Sequence, residues 1–244
     1  MNTQIFETYD IMCRCVANEI VQDLEKNPRQ MLCIAAGHTS LGVFKYLIQD
    51  YQQGKADFSQ ASFAAMDEWL YMSDRTKESC GYFLREHFLN HVNYAPENVR
   101  LWDGTVSDTQ KECRDVEEFI KTRSVNGTLD YLVLGAGMNG HLALNEPGTS
   151  FDSRAHVTVL DPVTQKVGQK YFSSEASLSG GITLGIDNFR QARRTVLMVN
   201  GAAKAEILSK ILNAPAPDEQ IPATALLTFE NASLYCDREA LKIS

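Results

Sequence analysis

The chain has 244 residues, 23 Lys+Arg against 31 Asp+Glu for a formal charge of -8, and a hydrophobic content of 44%. That length suits one ordinary domain that buries roughly 70–75% of the surface its unfolded form exposes, so it needs no disulfide or metal staple. The acidic balance argues against a nucleic-acid binder, whose affinity rests on counterion release by Lys and Arg. No apolar run reaches the roughly 18 residues of a membrane helix, and the first residues lack the basic and apolar regions of a signal peptide.

In chain order, residues 4–26 carry Ile5, Met12, Val16, Ile20, Val21 and Leu24 at near-helical spacing, and Asn27-Pro28 stops the helix. Residues 31–36 form a continuous apolar run, which predicts a strand covered on both faces, as in a parallel sheet. A turn at 37–40 leads into an amphipathic helix over 41–51. The alternation goes on with a strand at 62–66, a helix at 82–92, a short strand at 99–102 and a charged helix at 108–123. Further strands are predicted at 131–134, 157–160 and 195–199, then a helix at 202–212 and a last strand at 233–236. The predicted fold is α/β, a single domain over 1–244 with an open, mostly parallel sheet and helices on both faces. The six cysteines (Cys13, Cys15, Cys33, Cys80, Cys113 and Cys236) form no CxxC pair and read as reduced thiols of a cytoplasmic protein.

Ligands of such sheets sit beyond the carboxyl ends of the strands, so the residues just after each strand carry the functional reading. Gly37-His38-Thr39-Ser40 follows a buried strand and opens a helix, where free amides and the helix dipole favour an anion; an ordinary capped turn uses the same residues. Met66-Asp67-Glu68-Trp69 sets carboxylates at a strand end, where one can act as a general base, or merely as a solvated loop acid. Gly135-Ala136-Gly137-Met138-Asn139-Gly140 spells GxGxxG. However, Pro147 and Gly148 stop any helix after it, so it is not a dinucleotide fingerprint. His141 and Glu146, in the same loop, are spaced for an acid/base pair. A zinc site is not expected: His141 has no second His or Cys at ligand spacing, and His87 and His91 lack the HExxH glutamate.

Taken together, the Gly-rich loop, the MDEW segment, Gly140-His141-Leu142-Ala143-Leu144-Asn145-Glu146-Pro147-Gly148 and the late Gly201-Ala202-Ala203-Lys204 resemble the glucosamine-6-phosphate deaminase/isomerase family, itself related to the 6-phosphogluconolactonases. The resemblance runs from about residue 37 to the end. It implies a Rossmann-like fold, a small sugar phosphate as partner, and a reaction without metal or redox cofactor. By resemblance, Asp67 matches the carboxylate that moves a proton between C2 and C1. His141 matches the acid/base that opens the pyranose at O5, and Glu146 the carboxylate that orients it. Gly37, His38, Thr39, Ser40 and Lys204 match the 6-phosphate site, and Lys170 falls where the family carries an arginine on a flap, here around residues 150–175.

Three departures stand out. Asn139 replaces the aspartate of the family's carboxylate–histidine–carboxylate relay and cannot carry charge. The phosphate loop reads Ala-Gly-His-Thr-Ser where Thr-Gly-x-Thr-Pro is commoner. The basic pair that binds an allosteric effector in some members falls on His156 and Thr158, so that site is expected to be lost. The expected activity is therefore isomerisation with deamination of glucosamine 6-phosphate or its C4 epimer, galactosamine 6-phosphate. A lactonase and a non-catalytic sugar-phosphate sensor are the alternatives. The sequence leaves a homo-oligomer open.

Overall fold

A computed structural model describes residues 1–242. Ten strands and seven α-helices follow one another as β1 (Asn2–Phe6), α1 (Tyr9–Lys26), β2 (Met31–Ile34), α2 (Leu41–Gln52), β3 (Ser62–Ala64), β4 (Asp67–Trp69), α3 (Cys80–His87), β5 (Val99–Arg100), α4 (Thr109–Arg123), β6 (Tyr131–Gly135), β7 (His156–Val159), α5 (Pro162–Gly168), β8 (Gly180–Thr183), α6 (Ile186–Arg190), β9 (Arg194–Val199), α7 (Ala205–Leu212) and β10 (Ala232–Asp237). The main sheet has the order β1-β10-β9-β6-β2-β3-β5, and every pairing in it is parallel. All residues of β2 and β10 are buried, which is why their apolar runs are continuous and not alternating. Helix α1 turns Met12, Val16, Ile20 and Leu24 inward, and α7 does the same with Ile207, Leu208 and Ile211.

The order of connection decides where a ligand can sit. From β2 the chain moves outward to β3 and β5. It then returns to β6 on the other side of β2 and continues to β9 and β10. Direction reverses between β2 and β6, so the loops leaving their carboxyl ends diverge and open a crevice. Those loops are the 37–40 turn and the 136–141 segment. A second, antiparallel sheet of order β4-β8-β7 pairs Asp67 with Thr183 and Thr183 with His156. It brings the end of the β3–β4 segment to the same crevice.

Three helices of the sequence reading are corrected. Residues 4–6 are not the start of the first helix. They belong to edge strand β1, paired from Asn2↔Ser233 to Phe6↔Asp237. Four of its five residues are exposed, Ile5 at 58%, so it is held by backbone hydrogen bonds and shows no core-facing pattern. The helix starts at Tyr9, after Thr8, whose hydroxyl caps the Ile11 amide at 3.3 Å. The predicted helices at 82–92 and 202–212 are each a shorter α-helix with a 3-10 turn, at Leu89–His91 and at Ala202–Lys204. No helix among the described residues is long and apolar enough to cross a membrane.

Candidate active site

The turn after β2 is built for a close approach to the backbone. Tyr9, on α1, holds it from below: its hydroxyl points at the carbonyls of His38 and Thr39, each at 3.1 Å, and accepts the Gly42 amide at 2.8 Å. A Cβ on Gly42 would lie 2.5 Å from Cys13 Sγ, so only glycine lets the start of α2 pack this close to α1. Above the turn, His38 stacks on the Tyr171 ring at 5.3 Å between centroids, and Lys170 Nζ lies 4.9 Å from that ring's centre. Lys204 reaches in from the end of β9 and donates to the Ala136 carbonyl at 2.6 Å. Burial, and then the charge of Lys170, push the Lys204 ammonium down to about 8. Burial also lowers Lys170, and it lowers His38 with help from Lys170 and His87. These are groups held in a field that wants an anion.

Asp67 and Glu68 are adjacent, yet the structure gives them separate tasks. Glu68 is fully buried and accepts the amides of Trp69 (2.9 Å), Cys80 (3.0 Å) and Gly81 (2.8 Å), so it caps the first turn of α3. Asp67, on the opposite face of β4, is half-buried and opens into the crevice. Desolvation, reinforced by the neighbouring Glu68 charge and only partly offset by the Cys80 thiol, pushes its carboxyl up to about 7. A carboxylate tuned to neutrality can take and return a proton.

His141 stands across the cleft. Its ring occupies the space a side chain on Gly137 would need: a Cβ there would lie 2.4 Å from Cε1 and Nε2. Behind the ring, Nδ1 is 2.9 Å from the Thr164 hydroxyl and 3.4 Å from Glu146 Oε2. Thr164 donates to Glu146 Oε2 at 3.0 Å, and Asn139 Nδ2 donates to the same oxygen at 3.0 Å while its Oδ1 accepts the His141 amide at 3.2 Å. Burial raises the Glu146 carboxyl, but His141, Thr164 and Asn139 together outweigh it and hold the group below its usual range. Glu146 is therefore an ionised acceptor backing an imidazole. Asn145, fully buried, ties the loop down by donating to the carbonyls of Leu142 (2.9 Å) and Leu184 (2.8 Å).

One cleft is lined by Gly37, His38, Thr39, Ser40, Asp67, His141, Lys170 and Lys204, joining the sequence-derived candidates from five separate chain segments. Glu146 and Asn139 lie behind His141, in contact with the residues that line it. His156 and Thr158 lie on β7, and their side chains bond only to nearby carbonyls. Sequence reasoning missed Thr164, Tyr171, Cys80 and Tyr9. Asp161-Pro162, a cap followed by proline, marks the helix that carries Thr164. No group of three or more His, Cys, Asp or Glu among the described residues is placed to hold a metal ion.

The fold and site define an α/β class: a parallel sheet whose switch-point crevice gathers a histidine backed by a carboxylate, a second carboxylate raised toward neutrality and two lysines beside a strand-to-helix turn. The chain belongs to the glucosamine-6-phosphate isomerase/6-phosphogluconolactonase family, which it matches over residues 7–235. It is 32% identical over 244 residues to the glucosamine-6-phosphate deaminase of Thermoanaerobacter sp. (strain X514), covering 100% of this chain and 95% of that one. It is 33% identical over 236 residues to that of Clostridium novyi (strain NT), covering 96% of each. A solved monomeric glucosamine-6-phosphate deaminase superposes with a TM-score of 0.93 at 30% identity, covering 99% of this chain and 100% of that one. The 6-phosphogluconolactonase from Thermotoga maritima, at a TM-score of 0.75 and 18% identity over 96% of this chain and 97% of that one, shares the fold.

Proposed function

We propose that this protein converts a hexosamine 6-phosphate, glucosamine 6-phosphate first among them, to the ketohexose 6-phosphate and ammonia. The observation that carries the reading is the pairing of Asp67, held near pH 7, with an imidazole backed by an ionised Glu146 across one cleft. Hydrolysis of a lactone ring needs no base tuned to a carbon acid, and the lactonases are the more distant relatives.

In this reading the 37–40 amides, Lys204 and Lys170 bind the 6-phosphate. His141 moves a proton between the anomeric hydroxyl and O5, and the pyranose opens to the aldehyde. Asp67 takes the proton from C2 and returns it to C1, while O1 gains a proton and the amino group gives one up, which turns the amino aldose into a ketimine. Water adds at C2, the C–N bond breaks and ammonia leaves. Each step uses side chains of this chain and water. The whole chain acts as one domain, with residues 150–175 as a flap, and six unpaired thiols suit a reducing compartment such as the cytoplasm. Ammonia release from glucosamine 6-phosphate and galactosamine 6-phosphate, with 6-phosphogluconolactone hydrolysis alongside, tests the reading. Turnover of the lactone alone, or of neither sugar, overturns it.

A further inference from the structure

We propose that Thr164 is a positioning residue for the acid/base pair: its hydroxyl, carried by α5 of the flap, links His141 Nδ1 to Glu146 and fixes which imidazole nitrogen faces the substrate. This rests on the ring-opening role given to His141 above. The hydroxyl has one proton and two lone pairs. Thr164 Oγ1 lies 3.0 Å from Glu146 Oε2 and 2.9 Å from His141 Nδ1. If the proton pointed at Nδ1, Oγ1 and an ionised carboxylate oxygen would face each other with no proton between them. The arrangement without that repulsion has Thr164 donating to Glu146 and accepting from Nδ1–H. Nε2 is then the free base, on the side where the ring passes over Gly137. Asn139 Nδ2 supports the same polarity by donating to Glu146.

The position of Thr164 is set by the flap. Asp161 caps the Val163 amide at 2.7 Å and Pro162 opens the helix. At the other end Gly168 packs so closely that a Cβ would lie 2.8 Å from Leu178 and 3.3 Å from Trp69. Thr164 itself is 4% exposed. The packing that seats α5 over the cleft therefore also holds the hydrogen-bonded chain His141–Thr164–Glu146 in place. Without the Thr164 hydroxyl the imidazole is free to rotate or change tautomer.

The test compares Thr164→Val, which keeps the branched shape and removes the hydroxyl, with Thr164→Ser, which keeps the hydroxyl. The substrates are glucosamine 6-phosphate and its 4,5-dideoxy analogue, which has neither O5 nor O4 to close a pyranose or furanose ring and stays open. Thr164→Val is expected to lower kcat about 10²-fold on the cyclic sugar with KM little changed, and Thr164→Ser to recover most of it. On the open-chain analogue the Val variant should match wild type. A second readout is the imidazole tautomer by ¹⁵N NMR: Nδ1–H in the wild type, mixed in Thr164→Val. Equal loss on both substrates, full activity in the Val variant, no rescue by Ser, or a wild-type Nε2–H tautomer each overturns the assignment. If the wild type turns over neither hexosamine phosphate, the deaminase reading fails, and the tautomer measurement still decides the role of Thr164.

Discussion

A base held at about pH 7 works only in the fraction of molecules where it is ionised, so the Asp67 step should quicken as pH rises through 7. Asp67→Asn removes the base and should lower turnover by about 10²–10⁴-fold. The same shift has a stability consequence. The folded-state value lies above the ordinary 3.8, so the folded protein favours the neutral acid. Its contribution is fully present below about pH 4 and is lost as pH rises through 7. Asp67→Asn should therefore raise the melting temperature at pH 8 and leave it unchanged near pH 4, which thermal scans of both proteins will show. Asn139 makes the converse case. Asn139→Asp would put a carboxylate oxygen where Nδ2 now donates to Glu146 Oε2 at 3.0 Å. Two carboxylates at that distance do not both ionise, so the pair should hold one proton at neutral pH. The variant should fold normally at pH 5 and lose melting temperature by pH 8, while wild type does not lose it over that window on account of this site. We expect wild-type turnover with Asn, because the amide supplies the donor that a protonated aspartate would supply.

At the scale of elements, each candidate group enters the cleft from the carboxyl end of a strand or from α5 and the turn that follows it. The strands read as continuous apolar runs because both faces are covered, and their exits could be picked out for the same reason. What stayed hidden has physical causes. β1 is polar and edge-held. β8 begins Gly180-Gly181, two residues without side chains, because Leu70 and Leu144 press on its backbone: Cβ atoms there would lie 2.8 and 2.2 Å from them. Thr164 was invisible because threonine three residues into a short helix reads as an ordinary polar residue until Glu146, 18 residues earlier, is placed against it. The Gly137 loop gives a prediction of its own. The three atoms nearest to a Cβ at Gly137 all belong to the His141 ring, within 2.5 Å. Gly137→Ala should displace the imidazole and little else, so its kcat loss should approach that of His141→Gln. The denaturant midpoint should move only slightly. A large stability loss with retained activity would mean that the ring does not work from this position.

For the molecule as a whole, a net charge of -8 and a phosphorylated substrate stand in conflict unless the cleft reverses the field locally. Lys204 shows how this is arranged. Its ammonium sits down at about 8 because burial and Lys170 oppose its charge, and a bound phosphate dianion would restore that charge. Binding should then take up a proton as pH rises past 8, and affinity should fall by up to about tenfold per pH unit above it. The phosphate would also join the loops after β2 and β9 with the turn after α5 that carries Lys170, so binding should appear as global stabilisation. At about 100 times its dissociation constant a ligand adds about 2.7 kcal/mol, which for a chain of this length raises the melting temperature by about 5–10 °C. A glucitol 6-phosphate, which carries the phosphate and cannot isomerise, is a suitable probe. The wild type should show this shift at pH 7 and a much smaller one at pH 9. Lys204→Ala should show a small shift at both, since it has lost the group whose charge the pH controls. Equal shifts at the two pH values in the wild type would place the phosphate away from Lys204, and the 37–40 turn would then have to bind it without that lysine.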